Sequence, residues 1–506
     1  MPDGEIKLRV KIFDVEQGQN EVVISEELAK ERIIEVGDRL HLRANGKTAV
    51  ALVDHSQKYL EKDEIALFDE VVCVLEARDK DVVFVRKEQR PSSLDYIRKK
   101  LDGQSLSKQE ISEVFSDLMQ EKFSQAELVA FVSAVYVHGV NNDEIVALTD
   151  SIYRSGEYLK FDSGKKVVSE HSIGGVAGDR VSMLIVPLLG SFGIIVPKTA
   201  TRAISSASGT ADAMEVFCRV DLSKKEVEKA VKKVGCCLVW GGGVNMATAD
   251  DKLIRVRHPL RLDPPGLLLS SILAKKKAEG ARFVLLDLPY GQGAKLETLK
   301  DARALAKEFK ELGSKLDLEI MSIVTDGSVP AMPFIGPALE ARAVLQVLQG
   351  IGPEPLAEKA SVMAGLILEK TGHARKGAGY ELAKKQLKSG KALEKFREMV
   401  KAQGGNPDVA PEDIKIGKLR YIVKAPFDGK VAHVDNKSIF KAARALGAPA
   451  DKASGIILRA SKGQRVKKGQ VLFELVSNSQ SAIDYTVSRK KEYSIVQLKK
   501  IIVDVI

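Results

Sequence analysis

The sequence predicts a multidomain α/β fold: an N-terminal β-rich domain, a helical lobe, an α/β lobe around a central parallel or mixed sheet, and a small C-terminal β-rich domain. Three observations carry this expectation. The chain has 506 residues, too many for one ordinary domain. Its apolar periodicity switches near Pro91 from alternation to a helical repeat, and later alternates between the two. Glycine- and serine-rich segments follow several apolar, strand-like runs, as loops do in parallel α/β sheets.

Residues 1–88 carry IKLRVKIFDV, NEVVIS, DRLHLR, TAVALVDHS and VVFVRK, apolar and polar residues alternating with Gly and Asp between the runs. That period of two predicts strands. Residues 89–160 read as a compact helical lobe: SKQEISEVFSDLMQ, SQAELVAFVSAVYVHG and NNDEIVALTDSIYRSG open with Ser or Asn and place an acid shortly after, as helix N-termini do. Residues 161–420 contain the strand-like VVSEHS, GIIVPK, ARFVLLDL and LEIMSIVTD, with helical stretches between and a Lys-rich helical region near 375–404. Residues 421–506 return to β-rich runs with regular turns and predict a small sandwich or barrel.

Hydrophobic residues make up 44% of the chain, enough for sizeable cores. The net charge of +10 comes from 78 basic and 68 acidic residues, a mixed surface with a positive bias that favours anionic small molecules. Nucleic-acid binding is not expected, because aromatics are only 5% and do not interleave with the lysines. The four cysteines have no metal-ligand spacing and read as reduced thiols. The N-terminal MPDGEIKLRVK lacks a signal-peptide pattern, so a cytoplasmic protein is expected. The longest uncharged run, Val181 to Pro197, is slightly short for a membrane span and predicts a buried helix followed by a buried strand.

Ligands of open α/β sheets sit beyond the carboxyl ends of the strands, which directs attention to three loops. The first, His171-Ser172-Ile173-Gly174-Gly175-Val176-Ala177-Gly178-Asp179, has glycines that let backbone N–H groups turn toward an anion. The second, Thr201-Arg202-Ala203-Ile204-Ser205-Ser206-Ala207-Ser208-Gly209-Thr210, holds five hydroxyls and a guanidinium, which suit phosphate or ribose. The third, Gly291-Gln292-Gly293-Ala294-Lys295, ends on a lysine that places a point charge. Asp263, followed by Pro264 and Pro265, suits either a helix N-cap or a carboxylic acid donating a proton to a leaving group.

HSIGGVAGD, TRAISSASGTADAMEV, DPPGLLLSSILAKKKAEG and TDGSVPAMPFIGPALEA, in this order and spacing, resemble the type II nucleoside phosphorylases, from about Pro91 to the C-terminus. The N-terminal β-rich domain, with WGGGVNMATADDK and IRVRHPL, is similar to the longer archaeal AMP phosphorylase branch. The resemblance implies phosphorolysis of AMP, and of CMP and UMP, to the free base and ribose 1,5-bisphosphate, with inorganic phosphate as co-substrate and no cofactor or metal. It implies that Gly175, the run Thr201, Arg202, Ala203, Ile204, Ser205 and Ser206, and Thr210 line the nucleotide and phosphate site. It makes Asp263 the proton donor and places Ser271 and Lys295 against substrate, with His171, Ser172 and Lys275 as second-rank contacts. The resemblance implies that a returning segment at about 250–280 joins the helical lobe and brings Ser271 and Lys275 to it, with Gly175 and Thr210 in the α/β lobe, and the family's catalysis involves closure of one lobe onto the other. A homo-oligomer, at least a dimer, is implied.

The family usually has Lys where this chain has Glu170. A carboxylate there repels phosphate unless it turns away or pairs with a base such as Arg180. Three alternatives stand beside this reading. One is a thymidine or pyrimidine-nucleoside phosphorylase. Another is a phosphoribosyltransferase similar to anthranilate phosphoribosyltransferase, which requires pyrophosphate chemistry and usually Mg²⁺. The third is a carrier or assembly protein, because APFDGKV and GQRVKKGQVLFEL resemble lipoyl or biotinyl domains with Lys437 as the nearest acceptor.

Overall fold

A computed structural model describes residues 4–161, 167–204 and 206–500. The alternating segments before Pro91 close into a barrel, in the order Ile6–Ile12, Glu64–Leu67, Glu21–Ser25, Lys47–Ser56, Arg39–Ala44, Val82–Glu88. Closure leaves no unpaired edge. Alternation fills the interior: Val22 and Ile24, and Leu40 and Leu42, are fully buried at a spacing of two. The strand Glu64–Leu67 and the helices Glu26–Arg32 and Asp69–Leu75 were not expected. Four or seven residues are too few for a period to stand out.

Next come helices Ser93–Leu101, Lys108–Met119, Gln125–His138 and Asn142–Arg154. Reciprocal capping boxes start three of them: Ser107 with Glu110, Ser124 with Glu127, and Asn141 with Glu144. By internal contacts, residues Met1–Gly156 with Ala247–Ala274 form one compact unit, and Glu157–Met246 with Lys275–Ile506 form another. The returning segment contributes Leu253, Leu267 and Ala274 to the apolar core built on Phe115, Phe131 and Leu148.

In the second unit the strands Glu319–Asp326, Phe283–Tyr290 and Val168–Ser172 pair in parallel, in that order. A parallel bridge between Val167 and Ile195 leads to the parallel pair Val196–Ala200 and Cys236–Trp240. Every pairing among these strands is parallel, so their carboxyl ends and following loops lie on one side. The strand Cys236–Trp240 was not expected; its partner Val196–Ala200 lies within the run GIIVPKTA. The uncharged run Val181 to Pro197 divides into helix Ser182–Gly190, buried on every side, and the start of the next strand. Among the described residues no helix is long and apolar enough to cross a membrane.

The C-terminal region, expected as a small sandwich or barrel, has two sheets that share one apolar core, with two helices that were not expected. It has a sheet ordered Phe334–Ile335, Gly455–Leu458, Val471–Ser477, Leu419–Lys424, and another ordered Arg465–Val466, Gly429–Val434, Val496–Lys500. Helices Asn436–Ala445 and Gln480–Ser488 pack with them. The boundary expected at 420/421 is crossed, because Phe334–Ile335 pairs antiparallel with Ile457 and Ile456. Lys437 lies in the first turn of helix Asn436–Ala445, not at a hairpin tip, which removes the carrier-domain acceptor.

Candidate active site

The first and third loops meet at the carboxyl ends of neighbouring strands. Gly174 and Gly175 turn the chain with φ of 79° and 91°, a region that L side chains rarely adopt. A Cβ on Gly175 would stand 3.0 Å from the backbone nitrogen of Lys295 and 3.2 Å from its Cγ. Only glycine allows both the turn and this approach of the Lys295 loop. Lys295 is itself exposed.

The second loop is held by charged staples. Arg180, nearly buried, donates to Glu340 Oε2 at 2.6 Å, to the Ser208 carbonyl at 2.5 Å and to Thr210 Oγ1 at 3.5 Å. It thus joins the end of the first loop to the end of the second. Asp212 Oδ2 accepts from the amides of Ala203 at 2.7 Å and Gly209 at 2.8 Å, closing the second loop on itself. The Arg202 guanidinium forks onto Glu215 at 2.8 and 2.6 Å and lies over the Trp240 ring at 5.1 Å. Its side chain therefore frames the loop. Thr201 and Ile204 are exposed and Ser206 is half-buried; Ser205 lies outside the described residues. The helix expected over ADAMEVF is short, covering Thr210–Met214.

His171 and Ser172 end the strand Val168–Ser172. Burial, reinforced by Lys276, Lys198, Lys295 and Lys275, holds the His171 imidazole well below its ordinary pKa. A neutral imidazole among four ammonium groups can share a hydrogen bond with a phosphate without forfeiting the positive field.

Beneath it lies a buried network that sequence reasoning missed. Lys276 Nζ donates to both oxygens of Glu279, at 2.8 and 2.9 Å, and to Ser169 Oγ at 3.0 Å. Glu279 also accepts from the Thr199 amide at 2.8 Å and from the Ser169 and Thr199 hydroxyls, both at 2.6 Å. Burial lowers the Lys276 pKa to about 8 against the pull of Glu279. In sequence Lys276 belongs to the run AKKKAEG, which reads as a solvated face; the i, i+3 spacing to Glu279 was the available signal.

Glu170 does not pair with Arg180, whose Nε is taken by Glu340. The carboxylate is fully buried, 3.6 Å from Lys198 Nζ, and Lys198 also donates to the Glu170 carbonyl at 2.9 Å. The acid is turned inward and faces the Lys198 ammonium of the strand Val196–Ala200, with neither carboxylate oxygen hydrogen-bonded among the described residues.

A second missed cluster supports the first and third loops. Lys359 Nζ donates to Asp179 Oδ2 at 2.9 Å and Asp287 Oδ2 at 2.6 Å, and Thr325 Oγ1 donates to Asp287 Oδ1 at 2.6 Å. Burial, helped by Asp179, keeps the Asp287 carboxyl above its usual range despite Lys359. An acid inside the apolar run FVLLDLPY was the signal.

In the first unit, Asp263 precedes helix Pro265–Ala278. Pro264 takes the residue before the helix, so the N-cap alternative for Asp263 fails on position. The Asp263 carboxylate, half exposed, accepts from Arg257 Nη1 at 3.1 Å. Further into the helix, buried Ser271 donates to Asp250 Oδ2 at 2.6 Å. Lys275 was expected beside Ser271 on the helical lobe, but the division between the units falls between Ala274 and Lys275. The ties of Lys276 to Ser169 explain it: the last turn of this helix is anchored to the α/β strands.

Comparison with known proteins agrees with this layout. Residues 94–156 match the model of the glycosyl transferase family helical bundle domain, and 164–393 that of the glycosyl transferase family a/b domain. Residues 430–496 match the pyrimidine nucleoside phosphorylase C-terminal domain. AMP phosphorylase of Pyrococcus furiosus is 39% identical over 98% of this chain and 99% of its own length. AMP phosphorylase 1 of Archaeoglobus fulgidus is 42% identical over 93% of each chain. AMP phosphorylase of Methanocaldococcus jannaschii is 40% identical over 94% of each. The crystal structure of anthranilate phosphoribosyltransferase from Thermus thermophilus superposes with a TM-score of 0.52 at 19% identity, over 62% of this chain and all of that one, a likeness of fold. With relatives matched end to end, the N-terminal barrel included, the chain belongs to the type II nucleoside phosphorylase family, in its AMP phosphorylase branch.

Proposed function

We propose that this enzyme splits AMP with inorganic phosphate into adenine and ribose 1,5-bisphosphate, and treats CMP and UMP in the same way. The observation that carries the reading is the near-complete coverage by relatives named AMP phosphorylase, which includes the barrel that precedes the bundle domain. The Gly175–Lys295 contact and the lysines around His171 support phosphate as the nucleophile.

In the reaction the C1′–N bond breaks with its electron pair going to the base, and a phosphate oxygen bonds to C1′. Positive charge builds on the ribose and negative charge on the base, as in other oxocarbenium-like reactions. Phosphate stabilises the first, held by the Gly175 loop, Ser172, Thr210 and Lys295. Asp263 protonates a ring nitrogen of the base and so neutralises the second. Ser271, Lys275 and the Thr201–Ser206 run contact the nucleotide. We place the enzyme in the cytoplasm, as a homo-oligomer of at least two chains.

Steady-state rates on AMP and on thymidine with saturating phosphate test this. AMP should be turned over much faster. Equal or faster turnover of unphosphorylated nucleosides would assign a nucleoside phosphorylase instead.

A further inference from the structure

The C-terminal domain reaches into two of the loops proposed to hold substrate. Asn436, fully buried, accepts from the Ala177 amide through Oδ1 at 3.0 Å and donates through Nδ2 to the Gly327 carbonyl at 3.0 Å. One side chain thus pins the first loop to the loop after strand Glu319–Asp326. At the other end of the same helix, exposed Arg444 donates from Nη1 to the Ile204 carbonyl at 3.0 Å and the Ser206 carbonyl at 3.3 Å. A trans peptide aims its N–H opposite its carbonyl, so fixing the Ser206 carbonyl directs the Ala207 amide away from Arg444.

Packing agrees with the polar contacts. Ala177 of the first loop and Ala207 of the second are fully buried, in one apolar cluster with Ile439, Ala443 and Leu446 of that helix. Lys452 adds a third tie, 2.7 Å from the Glu215 carboxylate that holds Arg202. None of these contacts requires a second chain.

We propose that the C-terminal domain is a working part of the substrate site, with Asn436 and Arg444 as positioning residues that set the main-chain geometry of the Gly175 and Thr201–Thr210 loops. This rests on the phosphorolysis reading above for its kinetic consequences, but its first readout is phosphate binding. Misplacement of donors by about 1 Å can lower activity by as much as 10²-fold.

The test uses full-length Arg444→Met, Arg444→Lys, Asn436→Asp and wild-type protein, with titration calorimetry of inorganic phosphate, AMP kinetics and thermal melts. Arg444→Met should weaken phosphate binding and raise its KM by about tenfold with an unchanged melting temperature. Arg444→Lys, which still donates to carbonyls, should recover most of the loss. Asn436→Asp removes the donor to Gly327 and should lower kcat as well; if that variant misfolds, Arg444→Met decides. Phosphate binding and KM within twofold of wild type in Arg444→Met overturn the proposal. Wild-type protein that binds phosphate but leaves AMP intact would overturn the functional reading alone, and the calorimetry would still decide this one. Wild-type protein that binds no phosphate overturns both.

Discussion

Asp263 and Arg257 form the most informative pair at the scale of single residues. The acid is half exposed, precedes two prolines and accepts one guanidinium hydrogen bond at 3.1 Å. Pro264 and Pro265 pre-set the backbone after it, so the carboxyl group is presented from a stiff segment. Asp263→Asn keeps that shape and the acceptor for Arg257 but has no acidic proton. Because general acid catalysis contributes on the order of 10²–10⁴-fold, kcat on AMP should fall by about two orders of magnitude or more with a normal melt. A near-wild-type kcat would move the donor role to another group, His171 first. The motif is what singled out Asp263 in the sequence. Glu170 was legible only as an anomaly, since nothing in the chain order says that Lys198 lies across the neighbouring strand from it.

At the scale of elements, the loops are shaped by buried or half-buried charge. Glu215 shows this best: Arg202, then Lys452, draws its carboxyl down to about 2 from an ordinary 4.5, against the opposing effect of burial. A depressed carboxylate adds stability that is fully present above about pH 4.5 and is lost as pH falls toward about 2. Glu215→Gln should therefore be less stable than wild type at neutral pH, and the gap should close on acidification through that window. Urea midpoints for the two proteins across the range measure it, and a gap that persists unchanged at about pH 2.5 would contradict the ion-pair account. The glycine loops themselves were legible, because positive φ and close approach demand glycine at Gly175. The staples were not: Arg180 to Glu340 and Lys359 to Asp179 join residues 160 and 180 positions apart. Only tertiary structure brings such partners together.

At the scale of the whole molecule, periodicity located the barrel, the helical bundle and the parallel sheet, because each buries one face at its own repeat. It did not show that a C-terminal sheet takes in Phe334–Ile335, a strand too short to show a period. The family resemblance placed Lys275 with Ser271 on the helical lobe, but the last turn of that helix is tied by Lys276 to the strand Val168–Ser172. The parallel sheet collects the Gly175, Lys295 and Thr201–Thr210 loops at the carboxyl ends of its strands, which is where an anionic co-substrate is expected. The proposed chemistry is attack of phosphate on the sugar carbon of a nucleotide. Phosphorus NMR on AMP and inorganic phosphate with the purified protein tests it most directly. Inorganic phosphate and AMP should disappear in equal amounts, with adenine released and a sugar bearing phosphate at both C1 and C5. Ribose 5-phosphate formed without consumption of inorganic phosphate, or AMP left intact under conditions that cleave thymidine, would contradict it.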